Sequence, residues 1–460
     1  MLRQTKIVCT IGPATSSETD LRALIEAGMN VARLNFAHGD HAQHLAVLAR
    51  IRALAERLDA PVAVLQDLAG PKVRIGTVAG GSILLEAGHP LVLTTDPVEG
   101  STSRVSVSYA NLPREVEAGD GLLLADGTIQ LRVERVTEVE IHCRVVAGGR
   151  LGSRKGVNVP SGLSGLPVLG AKDLDDLRFG LEQGVDYVGL SFVRSAEDVH
   201  TARAHIEALG GQAPVIAKIE TQAALDHFDA IADAADGIMI ARGDLSLETP
   251  FTRVPVVQKQ LIAKANRRAK PVITATQMLY SMVSFPQPTR AEVADVANAI
   301  LDGSDAVMLS EETAVGEHPV RAVEVMAAIA RATEGGVLPD APSPGAMEPP
   351  LTGEEAVVQA ACQLGTRLRS DVIVTITATG ETARFAARCR TRQPILALTG
   401  DRNTYRRLAL VRGVVPLLLP APVGAAAEPL ETARSVLHER GWRGKRAVLA
   451  AADRVWRVTL

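Results

Sequence analysis

The chain is 460 residues long, which allows about three domains, and its 47% hydrophobic and 22% charged content is that of an ordinary globular protein. The net charge is only −3 and aromatic residues make up 3%, so there is neither a global basic field nor a set of base-stacking platforms for nucleic acid. The four cysteines, Cys9, Cys143, Cys362 and Cys389, lie far apart with no C-x-x-C, which speaks against a zinc ribbon or disulfide framework and for a reducing compartment.

No apolar run approaches the ~20 residues that span a bilayer. Ile7 enters an apolar strand without the long apolar core of a signal peptide. The expectation is a cytoplasmic protein with neither a membrane nor a nucleic-acid partner.

Taken in order, short apolar runs alternate with helical patterns, as in βαβ units with a parallel sheet. The expected strands are Ile7–Ile11, Val31–Phe36, Val62–Gln66, Tyr187–Phe192, Val215–Ile219, Gly237–Ala241, Val272–Ala275 and Ala306–Leu309. Their number is that of a (β/α)8 TIM barrel. Between the third and fourth, the runs Val73–Val78, Ser82–Leu85, Leu91–Thr94, Val105–Tyr109, Ile129–Val136 and Ile141–Val146 are separated by glycine turns. They read as an all-β module inserted in the third βα loop, with Gly70-Pro71 and Lys155-Gly156 as hinges. The Pro- and Gly-rich stretch 335–353 is a boundary. Beyond it, Val372–Thr377, Ile395–Thr399, Val414–Leu419 and Ala447–Ala450 are expected strands of a C-terminal α/β domain with a mainly parallel sheet, and 420–429 is a loop. The expected division is 1–69 and 156–336 for the barrel, 70–155 for the inserted module, 337–353 for a linker and 354–460 for the C-terminal domain.

In a barrel the C-terminal strand ends face the active site. Here they carry Thr10, Arg33 with Asn35, Asp67, Ser191, Lys218 with Glu220, Arg242 with Asp244, Thr276 with Gln277, and Ser310 with Glu311. Mixed cations and carboxylates suit an anionic substrate held with Mg²⁺, which needs only one or two protein carboxylates, such as Glu220 and Asp244. The same charges also suit a plain salt bridge of Lys218 or Arg242 with those carboxylates. Ala241-Arg242-Gly243-Asp244 reads as a glycine turn opening a helix, either an anion site or an ordinary N-cap. His38, His41 and His44 recur every third residue, as metal ligands or as a solvated face. GPATSS (Gly12–Ser17) is either a phosphate cradle or a capped helix start.

Several blocks together resemble pyruvate kinase along nearly the whole chain. TKIVCTIGPATSS (Thr5–Ser17), NVARLNFAHGDH (Asn30–His41) and DLAGPKVRIG (Asp67–Gly76) come first. KGVNVP (Lys155–Pro160), AKIE (Ala217–Glu220), ARGDL (Ala241–Leu245) and PVITATQML (Pro271–Leu279) follow, and the block Pro288–Pro319 closes the barrel. The resemblance implies phosphoryl transfer from phosphoenolpyruvate to ADP in a homotetramer. It implies Mg²⁺, with Mn²⁺ able to stand in, on Glu220 and Asp244, and a transition-state role for Lys218. Arg33 is implied to hold the phosphoryl group, with Asn35 and Asp67 behind it. The Ala241–Asp244 backbone is implied to hold the substrate carboxylate, and Thr276 to stand where the enolate is protonated. Asn35, His38 and Arg74 are implied nucleotide contacts, and the inserted module the lid.

Two departures from the family pattern matter. Many members bind K⁺ with a serine where this chain has Ala37, and carry a glutamate where it has Lys72; Leu68 also replaces a common threonine. A tethered ammonium supplies the charge of the monovalent ion near Asn35 and Asp67, so K⁺-independent activity is expected, unless Lys72 merely points to solvent. In the C-terminal domain Thr377, Thr379, Gly380 and Thr382 resemble the loop that holds effector phosphates. Glu381 brings a negative charge into it, and the family's long glycine-rich loop before the last strand is missing, so control by fructose 1,6-bisphosphate is not expected. Either effector control is lost, or a smaller phosphorylated ligand uses the pocket. A pyruvate or phosphoenolpyruvate lyase or aldolase on a similar barrel, or a non-catalytic metabolite sensor, are the alternatives.

Overall fold

The computed structural model describes residues 2–160, 162–163, 165–336, 352–420, 429–451 and 454–460. Residues 337–351 of the expected linker and 421–428 of the loop expected at 420–429 lie outside them. Eight parallel strands close into a barrel: β1 (Lys6–Ile11), β2 (Val31–Asn35), β3 (Ala63–Asp67), β4 (Tyr187–Leu190), β5 (Val215–Ile219), β6 (Gly237–Ala241), β7 (Val272–Ala275) and β8 (Ala306–Leu309), each beside its sequence neighbours and β8 beside β1. Burial on both faces explains their near-continuous apolar character. Alternate residues divide between two cores. Val8, Val31, Leu65, Ile216, Met239 and Ile273 fill the barrel interior. Ile7, Cys9, Leu34, Val64 and Val188 face the surrounding helices.

The lid has its own apolar core and a sheet in which Val157–Asn158, Gly121–Leu124, Ile129–Val136, Glu140–Ala147, Pro90–Thr94 and Arg104–Ser106 are successive neighbours. Ser82–Leu85 pairs separately with Gly149–Gly152. Two expectations are corrected here. Val73–Val78 makes only isolated bridges, from Arg74, Ile75 and Val78. Val157 and Val159, past the expected boundary at 155, belong to the lid core because their side chains pack there.

The C-terminal domain has five strands: β9 (Val372–Ile376), β10 (Ile395–Thr399), β11 (Val414–Leu418), β12 (Arg446–Ala451) and β13 (Arg454–Thr459), in the order β11-β10-β9-β12-β13, all parallel except the last pair. Its short helical turn Leu408–Leu410 sends Ala409 and Leu410 into the barrel's interior core. The Tyr187 hydroxyl donates to Arg407 O at 2.8 Å, Lys6 Nζ donates to Val414 O at 2.6 Å, and Asp186 pairs with Arg406 at 2.7 Å. The domain thus closes the end of the barrel opposite the site.

Candidate active site

The centre of the site is a lysine between two carboxylates. Lys218, on β5, places its Nζ 3.1 Å from Asp67 Oδ1, at the end of β3, and 3.0 Å from Glu220 Oε1. It also donates to Ser191 Oγ at 2.7 Å, and Ser191 in turn donates to Leu68 O at 2.8 Å. All four of these side chains are buried. Burial alone disfavours the ammonium, but Asp67 and Glu220 outweigh it and raise Lys218 above its ordinary value. Of the two readings of these charges, the salt bridge is present for Lys218.

Arg33, on β2, donates from Nε to Asp67 Oδ2 at 2.6 Å and from Nη1 to Thr10 Oγ1 at 2.9 Å. Burial would raise the Asp67 carboxyl, yet Lys218 and Arg33 overcome it and hold it below the usual range. Glu220 behaves oppositely. Burial raises its carboxyl, Lys218 lowers it, and the charge of Asp244 raises it again, for a net rise. Its second oxygen accepts the Phe192 N–H at 2.8 Å. Phe192 adopts φ 55° at the end of β4, a left-handed conformation costly for a bulky residue.

The helix Arg242–Glu248 starts directly after β6, with Asp244 in its first turn. Gly243 N–H donates to Thr276 Oγ1 at 2.8 Å, and that hydroxyl donates to Ala275 O at 2.7 Å. Thr276 and Gln277 both have left-handed φ, 68° and 55°, a turn that brings the hydroxyl back over the next strand end. The Arg242 side chain faces elsewhere: it pairs with Asp295 at 2.8 Å, reaches Gln258, and donates to Thr276 O at 2.7 Å. Its partner is therefore not either of the carboxylates expected from the sequence.

Lys72, at the lid hinge, places its ammonium 3.9 Å from Asp244 Oδ1 and 3.7 Å from Asp126 Oδ1. No ion pair joins Lys72 to Asp67 among the described residues; Asp67 is held by Arg33 and Lys218. Asn35 Oδ1 accepts the Ala37 N–H at 3.1 Å. Arg74 is exposed and donates to Arg154 O at 3.2 Å.

The three histidines do not converge as ligands. His41 meets Asp176 at 2.7 Å and stacks on Phe179, with ring centroids 4.2 Å apart. His44 stacks on Phe36 at 4.1 Å and hydrogen-bonds the His38 carbonyl at 3.0 Å, while His38 is exposed. Gly12–Ser17 resolves as a capped start, with Ser17 accepting the Asp20 N–H at 3.1 Å. In the C-terminal loop, the Gly380 N–H is engaged by Thr377 Oγ1 at 2.9 Å and the Thr382 hydroxyl by Glu354.

Sequence reasoning placed Ser191 and Thr10 at strand ends but gave them no part, although they hold Lys218 and Arg33. Asp295 and Gln258, which hold Arg242, carried no signal, because both belong to helices.

Comparison with known proteins identifies the family. A family profile described as the barrel domain of pyruvate kinase matches residues 2–323, and one described as its alpha/beta domain matches residues 355–456. Pyruvate kinase 2 of Synechocystis sp. is 49% identical over 91% of this chain and 71% of its own length. The pyruvate kinase of Thermococcus litoralis is 44% identical over 90% of this chain and 89% of its own length. The crystal structure of a pyruvate kinase from Cryptosporidium parvum matches with a TM-score of 0.94 at 37% identity, covering 99% of this chain and 96% of the other. A lyase or aldolase is not favoured by any of these. With both profiles matched in order, and with these relatives and this fold, the chain belongs to the pyruvate kinase family of phosphotransferases.

Proposed function

We propose that the chain transfers the phosphoryl group of phosphoenolpyruvate to ADP, giving pyruvate and ATP, with Mg²⁺ and without a requirement for K⁺. The observation that carries this reading is the buried Lys218 ammonium, fixed by Asp67, Glu220 and Ser191 next to the Arg33–Asp67 pair. Two preorganised cations at one strand-end cluster are what a moving phosphoryl group needs, because its charge spreads in the transition state.

The donor chemistry fits Mg²⁺ on Glu220 and Asp244. Both offer hard carboxylate oxygens, and the charge of Asp244 helps raise the Glu220 carboxyl, a repulsion that a shared divalent cation relieves. Two protein carboxylates are enough for an ion that keeps waters and substrate oxygens around it. Bound there, Mg²⁺, or Mn²⁺ in its place, would polarise substrate oxygens and neutralise phosphoryl charge.

The chain's own residues do the rest. Arg33 holds the phosphoryl group, and Lys218 stabilises the charge that develops on it and on the enolate oxygen. The Ala241–Asp244 backbone receives the substrate carboxylate, while the Arg242 side chain, tied to Asp295, fixes that turn. Thr276 stands on the side where the enolate carbon gains its proton, supported by its hydrogen bond to Gly243. Asn35, His38 and Arg74 contact the nucleotide, and closure of the lid excludes water that would otherwise take the phosphoryl group. Lys72 places a tethered positive charge at Asp244, which is what supports independence from K⁺. Engagement of Thr377, Gly380 and Thr382 within their own domain supports loss of effector control at the loop Thr377–Thr382.

A cytoplasmic homotetramer is proposed from family resemblance. Exposed Phe251 (77%) and Phe285 (64%), on the connections after β6 and β7, offer apolar surface for it. No helix among the described residues is long and apolar enough to cross a membrane. The test is a lactate-dehydrogenase-coupled assay with phosphoenolpyruvate, ADP and Mg²⁺, run with and without K⁺. Turnover in both supports the reading, and silence from folded protein removes it in favour of a metabolite sensor.

A further inference from the structure

Two of the cysteines that stand apart in the sequence meet in the C-terminal domain. The helices Gly353–Arg367 and Glu381–Arg388 share an apolar core that includes Val358, Cys362, Ala383 and Ala386. They are tied at two points, by the Thr382 hydroxyl on Glu354 and by Arg388 on Glu355 at 3.6 Å. Cys362 and Cys389 make a third contact: Cys389 packs against the cluster that contains Cys362, and the Ala386 carbonyl accepts the Cys389 N–H at 3.1 Å. The Cys362 sulfur also donates to Ala386 O at 3.8 Å, and the Cys389 sulfur to Phe385 O at 3.6 Å. Cys362 is fully buried, whereas Cys389, the C-cap of the second helix, is partly exposed.

We propose that Cys362 and Cys389 form a reversible dithiol–disulfide pair, a redox modification site that clamps the helix after the loop Thr377–Thr382 onto the helix Gly353–Arg367. The asymmetry of the pair sets the order of events. Cys389 is the accessible thiol, and the Cys362 thiol beside it, with the charge of Arg388, holds it below its ordinary value. The oxidant is hydrogen peroxide. The Cys389 thiolate attacks a peroxide oxygen, the O–O bond breaks, and with one proton taken up the products are a sulfenic acid and water. Cys362 then attacks that sulfur, the S–S bond forms, and the departing hydroxide leaves as water with the Cys362 proton. Two thiols lose two electrons while one peroxide becomes two waters, and a dithiol reductant reverses the change. Cys9 and Cys143 have no such neighbour. Burial pushes the Cys9 thiol far up and Cys143 to about 12, so both serve as internal controls.

The experiment is titration of the full chain with hydrogen peroxide, followed by alkylation and peptide mass spectrometry. The expected product is one linkage joining the peptides that carry Cys362 and Cys389, removed by dithiothreitol, with Cys9 and Cys143 alkylated as thiols. In Cys362→Ser the Cys389 sulfenic acid has no thiol to resolve it and should be trapped by dimedone at least tenfold more than in wild type. Oxidation of Cys389 to sulfinic acid with Cys362 still a thiol, or equal dimedone labelling of both proteins, would overturn the proposal.

Discussion

Replacing Lys72 with glutamate tests the cation assignment directly. The ammonium stands 3.9 Å from Asp244 and 3.7 Å from Asp126. Its stem lies on Gly156, where a Cβ would come within 2.8 Å of Lys72 Cε. At an effective dielectric near 20, a unit pair at this separation is worth about 4 kcal/mol. The Lys72 and Asp244 side chains are 25% and 31% exposed, however, and water reduces such pairs to roughly 1 kcal/mol or less. Charge reversal exchanges that attraction for a similar repulsion, a swing of about 2 kcal/mol, or roughly thirty-fold in a rate or binding constant. The assay is coupled turnover at saturating Mg²⁺ in a tetramethylammonium buffer, titrated with KCl. Wild-type turnover should stay flat across the titration. Lys72→Glu should lose roughly thirty-fold without K⁺ and recover as K⁺ is added, with Lys72→Met in between. Strong activation of the wild type by KCl, or a Lys72→Glu enzyme as fast as wild type without K⁺, would refute the reasoning.

Lys218→Met should fold yet lose ~10²–10³-fold or more in kcat, and a variant within tenfold of wild type would remove Lys218 from the transition state. It also leaves Glu220 facing Asp244 without its cation. A carboxyl raised above 4.5 in the folded protein binds more protons there than in the unfolded chain. Stability therefore falls as pH rises from about 4.5 through the folded value, and in Lys218→Met that fall should be larger and reach higher pH, read from urea midpoints at about pH 5 and about pH 8. Lys6 titrates the other way. Burial lowers its ammonium from 10.5 to about 7, so the unfolded chain binds more protons in that window. Stability should climb there by up to about 1.4 kcal/mol per pH unit, and Lys6→Met should abolish the climb in thermal midpoints; an unchanged slope would refute it. Phe251→Asp with Phe285→Asp should lower the oligomer mass in light scattering, and an unchanged mass would take those residues off the interface.

The barrel was legible because its strands are buried on both faces, so runs such as Val215–Ile219 and Gly237–Ala241 stand out from the amphipathic helices between them. The lid was less legible. Gly121–Leu124 and Gly149–Gly152 are short, glycine-flanked and half-exposed, and Val157–Asn158 is a strand of two residues that takes its place in the lid sheet by pairing with Gly121–Leu124. At the site, charge at strand ends singled out Lys218, Glu220 and Asp244, because their burden of charge sits beside apolar strands. What local sequence does not carry is pairing across the ring. Arg242 finds Asp295 and Lys72 finds Asp244 only once the barrel closes and the lid returns to its hinge. The histidine spacing left metal ligands and a solvated face both open, and aromatic stacking on Phe36 and Phe179 turns two of the three rings toward neighbouring side chains.

Ala409 and Leu410 sit in the same apolar cluster as Val8, Val31 and Leu65, and this has a consequence for the order in which the molecule is made. The first strands leave the ribosome long before the residues that stop the bottom of their ring. Until the chain has been synthesised past Leu410, the ring lacks its floor and its inner face stays open to water at that end. Docking of the last domain thus completes the apolar cluster inside the barrel, and apolar surface exposed before such a step is what makes partly folded larger chains prone to aggregate. The late-made domain is in that sense a component of the early-made barrel.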